Sequence, residues 1–240
     1  MYAVKKLPRT RTALLYQCTW LVDEDVEYDE LTITETASII APEGKFVALS
    51  VDGMGRKLAP GHYVGRVRLS VSDGYLMQPH GLMKANQIAR YFHTAVCVED
   101  GRLAREKCIP ELLHGGSVTD SGMSGVYIGS SEESFNGVVV TGDSEYVLDG
   151  VEMDLEGFAD NDFLGVGAAV TAIDRAKVTI NDSSFTMSGV TRCAIHAGGD
   201  SQVTLHNCDI ENISPDSDRL GFFSWQVGFL GTNRLTQLTD

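Results

Sequence analysis

The chain is poor in the features that mark membrane segments, metal knots and phosphate sites. Its five cysteines, Cys18, Cys97, Cys108, Cys193 and Cys208, are odd in number, scattered, and form no Cys-x-x-Cys pair. That argues against a zinc site and against a disulfide framework, and the thiols read as small buried hydrophobes. No segment approaches the roughly 20 apolar residues of a membrane span. The basic start, with Lys5, Lys6, Arg9 and Arg11, carries only the short apolar run Ala13-Leu-Leu-Tyr16. This is too short for a secretory signal, so the sequence predicts a cytoplasmic protein, or a secreted one if a leader has been removed. There is no phosphate loop, no dinucleotide-binding glycine fingerprint and no Gly-x-Ser-x-Gly elbow.

Positive charge is missing from a long central stretch. No Lys or Arg occurs between Lys107 and Arg175, while thirteen acidic residues lie from Glu111 to Asp174. Fourteen of the nineteen basic side chains precede residue 108. With a net charge of −14, nucleic acid and anionic membrane surfaces are poor partners. The acidic stretch reads as a solvated face that discourages strand-edge pairing, or as a surface for a cation or a cationic partner.

What the chain does have is a repeat. Residues 145–157, 177–189 and 202–214 align without a gap. Leu148, Ile180 and Leu205 share one column; Tyr146, Val178 and Val203 share another; Met153, Phe185 and Ile210 a third. Val138, Val170 and Ile195 extend the alignment backwards, and the offsets are 32 (148 to 180) and 25 (180 to 205). Such self-similarity marks a solenoid, whose units bury their apolar faces against one another. Within each unit, apolar residues alternate over four or five positions and stop at Asp-Gly, Asn-Asp or His-Asn, which is strand and turn chemistry. The expected class is therefore all-β, with each unit one coil of a parallel β-helix.

On these repeats, over about residues 125–230, the chain resembles the right-handed β-helix proteins of the pectate-lyase-like superfamily. The resemblance implies a right-handed coil. It extends to the repeat pattern, since the Trp-Ile-Asp-His, Asn-Thr-Asp and Gly-His-Gly signatures of its enzymes are absent from the chain. It thus implies a scaffold and leaves the reaction open.

Residues 1–114 read as a β-rich N-terminal or cap region and residues 115–240 as the coils. Phe46–Val51 ends in Asp52-Gly53 and Tyr63–Val71 leads to Asp73-Gly74, both hairpin or meander signals. Leu82 to His93 has helical spacing, and Leu103 to Leu113 a weaker version interrupted by Pro110. After Ser214 the pattern loosens. The aromatic run Leu220–Leu230 serves as a plug, meets another subunit, or belongs to a longer β-helix. A homo-oligomer with Phe222, Phe223 or Trp225 near the contact is predicted.

The unequal offsets locate an insertion. Ten residues separate Gly157 from Ala168, against three between Gly189 and Cys193, so a loop is predicted to project from the stack. Asp160, Asn161 and Asp162, flanked by Phe158 and Phe163, read as a calcium-type cation loop, a ligand-facing polar loop, or a plain surface turn. No other cofactor is implied. Arg192 lies in the next, shorter turn. His196 falls beside Ile195 and Ala197 and is expected to face outwards. His196 with Asp162 as proton-transfer groups and Arg192 as electrophile would make an acid–base constellation. Asp160, Asn161, Phe163 and Tyr127 are candidate ligand contacts, and His114 is a further candidate beside Gly115-Gly116. The leading expectation is an enzyme acting on a carbohydrate-like or cyclic polyol compound by lyase- or isomerase-type proton transfer. The alternative is a non-catalytic binding or assembly module.

Overall fold

The computed structural model describes residues 11–79, 89–213, 229–231 and 235–237. It is mostly β. Helical segments among the described residues are short 3-10 turns at Arg105–Lys107, Pro110–Leu112 and Asp162–Leu164.

Each repeat contributes one strand to each of three sheets. The first sheet takes Tyr127–Ser130, Glu152–Glu156, Ser184–Ser188 and Asp209–Ile213. The second takes Thr94–Glu99, Asn136–Thr141, Val170–Ala172 and Ile195–Ala197, and the third Gly122–Ser124, Glu145–Asp149, Lys177–Asn181 and Gln202–His206. All these successive pairings are parallel. Their register is that of the sequence columns: Leu148 opposes Ile180, which opposes Leu205, and Met153 opposes Phe185, which opposes Ile210. Val138, Val170 and Ile195 likewise follow one another. The ladders reach further back than Gly115-Gly116, since Thr94–Glu99 already pairs with Asn136–Thr141.

One buried cluster draws on all three sheets, including Ile128, Met153 and Phe185 from the first, Val138, Val170 and Ile195 from the second, and Leu148, Ile180 and Leu205 from the third. The period-2 alternation produces it, because every second side chain points to the same side. The turn from third-sheet strand to first-sheet strand recurs in each repeat. It holds Gly150, Asp182 and Asn207 at φ of 59°, 48° and 50°. Gly, Asp and Asn are the residues that tolerate this left-handed backbone, which is why Asp-Gly, Asn-Asp and His-Asn punctuate the sequence.

The N-terminal region centres on antiparallel pairings in which Gly61–Asp73 lies between Val26–Ile33 and Lys45–Val51, with Thr12–Leu15 added in parallel to Val26–Ile33. Lys45–Val51 turns through Asp52 and Gly53, both at positive φ, into Met54–Arg56. This is the expected hairpin chemistry. One face of the sheet carries its own core of Val47, Leu49, Val67 and Leu69. From the other face Ala48 enters the cluster shared by the three ladders. Gly55 also pairs with Ser130, which joins this sheet to the first ladder.

Two expected helices require correction. The 103–113 segment is a pair of 3-10 turns separated by extended Cys108, with Pro110 opening the second. Of the expected helix at 82–93, residues 90–92 form a strand paired with Tyr75–Met77, and residues 82–88 lie outside the described ones. Phe222, Phe223 and Trp225 lie outside them as well.

Candidate functional site

The long loop does not project. Leu164 and Val166 fold back onto the outer face of the second ladder and are buried with Val139, Ile173, Tyr75, Met77 and Phe92. Burying these apolar side chains outweighs leaving the loop in solvent. Asn161 stabilises the fold-back by accepting from the Leu164 N–H at its Oδ1 (3.1 Å) and from the Val166 N–H at its carbonyl oxygen (3.0 Å).

His196 is consequently covered. It lies on the outer face of its strand, as expected, but only 4% of it is exposed. A Cβ added at Gly165, whose φ is +78°, would sit 2.6 Å from the imidazole, so the loop backbone lies directly on the ring. The expectation of an accessible outward histidine fails because the insertion supplies its own apolar cover.

Arg192 is buried too, and all of its N–H donors are used. Nε donates to the Gly157 carbonyl at 2.9 Å. Nη1 donates to Phe135 at 3.0 Å and Gly167 at 2.9 Å, and Nη2 to Glu132 at 2.6 Å and Glu156 at 2.8 Å. A guanidinium has five N–H groups, and each one here ends on a backbone carbonyl. Burial lowers its pKa to about 10, which leaves it a cation at neutral pH. It holds the turns of adjacent repeats together and has no donor left for a substrate.

The remaining predicted residues scatter. Asp160 is exposed and pairs with Arg90. Asp162 opens the 3-10 turn of the loop. Phe163 is 55% exposed. Tyr127 donates its hydroxyl to Asp154 Oδ2 at 3.2 Å, and burial followed by the Asp154 charge raises its pKa. The loop, Arg192 and His196 do meet, but around the Gly165–Gly167 backbone in a packed interior. Among the described residues no three His, Cys, Asp or Glu side chains cluster as metal ligands.

An open site exists elsewhere, between the N-terminal sheet and the 111–114 segment. A cavity of about 220 Å³ is lined by Ser50, Gly53, Arg66, Arg68, Glu111, Leu113 and His114. Alternation along Gly61–Asp73 sends Val67 and Leu69 into the sheet's own core and Arg66 and Arg68 to the opposite side. Ser50 is the cross-strand partner of Arg68 on that side. The Arg68 Nη2 donates to Asp25 Oδ2 at 2.8 Å. Its Nε lies 3.9 Å from Glu111 Oε1, too far for a hydrogen bond. Both of those atoms are buried without a partner, as are the hydroxyls of Ser70 and Ser72 further along the strand. Burial raises the Glu111 pKa more than Arg68 lowers it. The His114 Nε2 is 2.8 Å from the Gly53 carbonyl. A carbonyl only accepts, so Nε2 carries a proton and donates it there.

A second buried polar pair lies where the N-terminal sheet meets the ladders. His93 Nε2 is 3.4 Å from Glu132 Oε1, and the His93 ring packs between Phe46 and Phe135. Burial pushes the His93 pKa down to about 4, so the ring is neutral at pH 7, and it raises that of Glu132 well above its ordinary value.

His114 and Tyr127 were legible as junction candidates; Ser50, Arg66, Arg68 and Glu111 were not. The available signal was the Arg66/Arg68 alternation, which reads equally well as a solvent face. No protein-family model, no curated protein and no solved structure matches the chain.

Proposed function

We propose that the chain is a short right-handed parallel β-helix closed at its start by the N-terminal sheet, and that it serves as a non-catalytic module binding a polyhydroxylated compound. The in-register parallel ladders and their shared core support the coil, and parallel crossovers are almost always right-handed. The observation that carries the non-catalytic reading is Arg192. The proton-transfer reading needs a cation free to meet developing negative charge, and all five donors of this one are bound to carbonyls.

Part of the charge asymmetry is spent within the chain. Lys57 reaches Glu133 at 2.6 Å and Arg90 pairs with Asp160, which favours ligand binding over assembly by opposite charges. Self-association through the 220–230 region remains part of the proposal, and light scattering should return a dimer or larger mass. The function is tested by incubating the protein with uronate oligomers and cyclic polyols under proton NMR. Line broadening without new product signals is expected; product formation that His196→Gln abolishes at unchanged melting temperature would restore the enzyme reading.

A further inference from the structure

The cleft beneath the N-terminal sheet has the polar inventory of a binding site with an unfilled centre. Buried polar atoms in folded proteins nearly always have partners. Here an arginine Nε and a carboxylate oxygen face each other as an ion pair across 3.9 Å, with neither hydrogen-bonded. A gap of that size between two orphaned groups is filled by a bridging polar atom. The atom must accept from Arg68 Nε and donate to Glu111 Oε1, which a hydroxyl does and a bare oxyanion does not.

The rest of the cleft points to a second functional group on the same ligand. Arg66 lies two residues from Arg68 on the same strand face, is exposed, and makes no ion pair among the described residues. A free guanidinium beside an open cavity suits a planar carboxylate, which it grips through two parallel hydrogen bonds. The nearby Asp52 carboxylate is turned away. It accepts from the Arg66 backbone N–H at 2.9 Å and does not line the cavity. Ser50 adds a hydroxyl that donates or accepts. Size narrows the class further, because about 220 Å³ is the share of roughly seven waters. That admits a small molecule.

We infer that this cleft binds a small hydroxycarboxylate, with Arg66 holding the carboxylate and Arg68, Glu111 and Ser50 holding the adjacent hydroxyl. The inference deepens the reading of the chain as a polyol-binding module and rests on it.

Isothermal titration of the full chain with glycerate tests it, with acetate, glycerol and inorganic phosphate as comparison probes. Acetate lacks the hydroxyl, glycerol the charge, and phosphate the planar carboxylate. Glycerate should bind at least about tenfold more tightly than any of the three, because each omission removes a charge-assisted or buried hydrogen bond. Arg66→Ala should weaken glycerate binding by about tenfold or more, whereas Arg102→Ala, an exposed arginine outside the cleft, should leave it unchanged. Arg66 is exposed, and circular dichroism should confirm that the variant folds. No glycerate binding at about 10 mM, tighter binding of phosphate, or indifference to Arg66→Ala would each overturn the assignment. Proton NMR of the same samples separates the two claims. Conversion of glycerate would sink the non-catalytic reading while leaving the cleft assignment to the titrations.

Discussion

Replacing Arg192 by lysine keeps the charge and removes the geometry, so it separates a structural arginine from a chemical one. In the native protein five N–H groups meet the carbonyls of Glu132, Phe135, Glu156, Gly157 and Gly167. An ammonium offers three donors, which leaves at least two of the five carbonyls unmatched in a buried site. Each orphaned acceptor costs about 1–3 kcal/mol, giving a loss of roughly 2–6 kcal/mol. That is a large fraction of the 5–15 kcal/mol that holds an ordinary domain together. For a chain of this size, at about 2–4 °C per kcal/mol, it corresponds to a melting point lower by roughly 5–20 °C. Thermal unfolding followed by circular dichroism, with urea titration for the free energy, measures both. A general electrophile at a surface site would behave in the opposite way, losing turnover and keeping its melting point. Should Arg192→Lys unfold within about 1 kcal/mol of the native protein, the saturated network is not what holds these turns, and the case against a catalytic Arg192 goes with it.

Other parts of the molecule make independent predictions. Ile180→Ala should cost about 2–5 kcal/mol in urea unfolding, while Thr179→Ala, one position along and half-buried, should stay within about 0.5 kcal/mol; equal effects would mean the alternation does not set the core. Gly165→Ala adds a Cβ at positive φ and 2.6 Å from the His196 ring, and should cost roughly 2–5 kcal/mol. Combined with His196→Ala it should show a coupling of about 1 kcal/mol or more, and simple additivity would show that the loop does not rest on the imidazole. His93 titrates at about 4 when folded and at about 6.5 when unfolded. Its contribution is therefore fully present above pH 6.5 and lost as pH falls through 4, about 3 kcal/mol in all. Glu132 and Glu111, whose folded values are raised, act in the other direction, their contribution fading as pH rises above the unfolded carboxylate value. The difference between native and His93→Gln stability curves over pH 4–7 isolates the histidine, and parallel curves would refute its burial in the neutral form.

The strand columns were legible because a ladder repeats local information. Leu148, Ile180 and Leu205 occupy equivalent places in equivalent strands, and one-residue slippage would turn all of them outwards. The left-handed turns at Asp182 and Asn207 were legible for the same reason. What lies on the far side of a strand is not encoded in its alternation. His196 alternates with Ile195 and Ala197 as an outward residue should, and only the loop inserted some thirty residues earlier decides whether outward means solvent. The apolar Leu164 and Val166 within that loop were the clue that it covers rather than projects. Arg192 was harder still, since its five partners come from turns of other repeats, and no local pattern records them.

Arg192 and Arg68 show why donor bookkeeping locates chemistry better than residue type does. Both are arginines in contact with buried structure, and read along the chain Arg192 was the stronger candidate, near a histidine and a long polar loop. Yet Arg192 has every N–H matched to a carbonyl, and further binding would require breaking the turns it holds. Arg68 uses Nη2 on Asp25 and leaves Nε buried and unmatched beside an equally unmatched Glu111 oxygen. Leaving such groups unpaired costs about 1–3 kcal/mol each, and a ligand that satisfies both recovers that energy on binding. The same residue type is thus a staple where its donors are exhausted and a recognition element where they are not. Protein chemistry on this scaffold is to be sought at the junction of the N-terminal sheet with the ladders, where the accounts remain open.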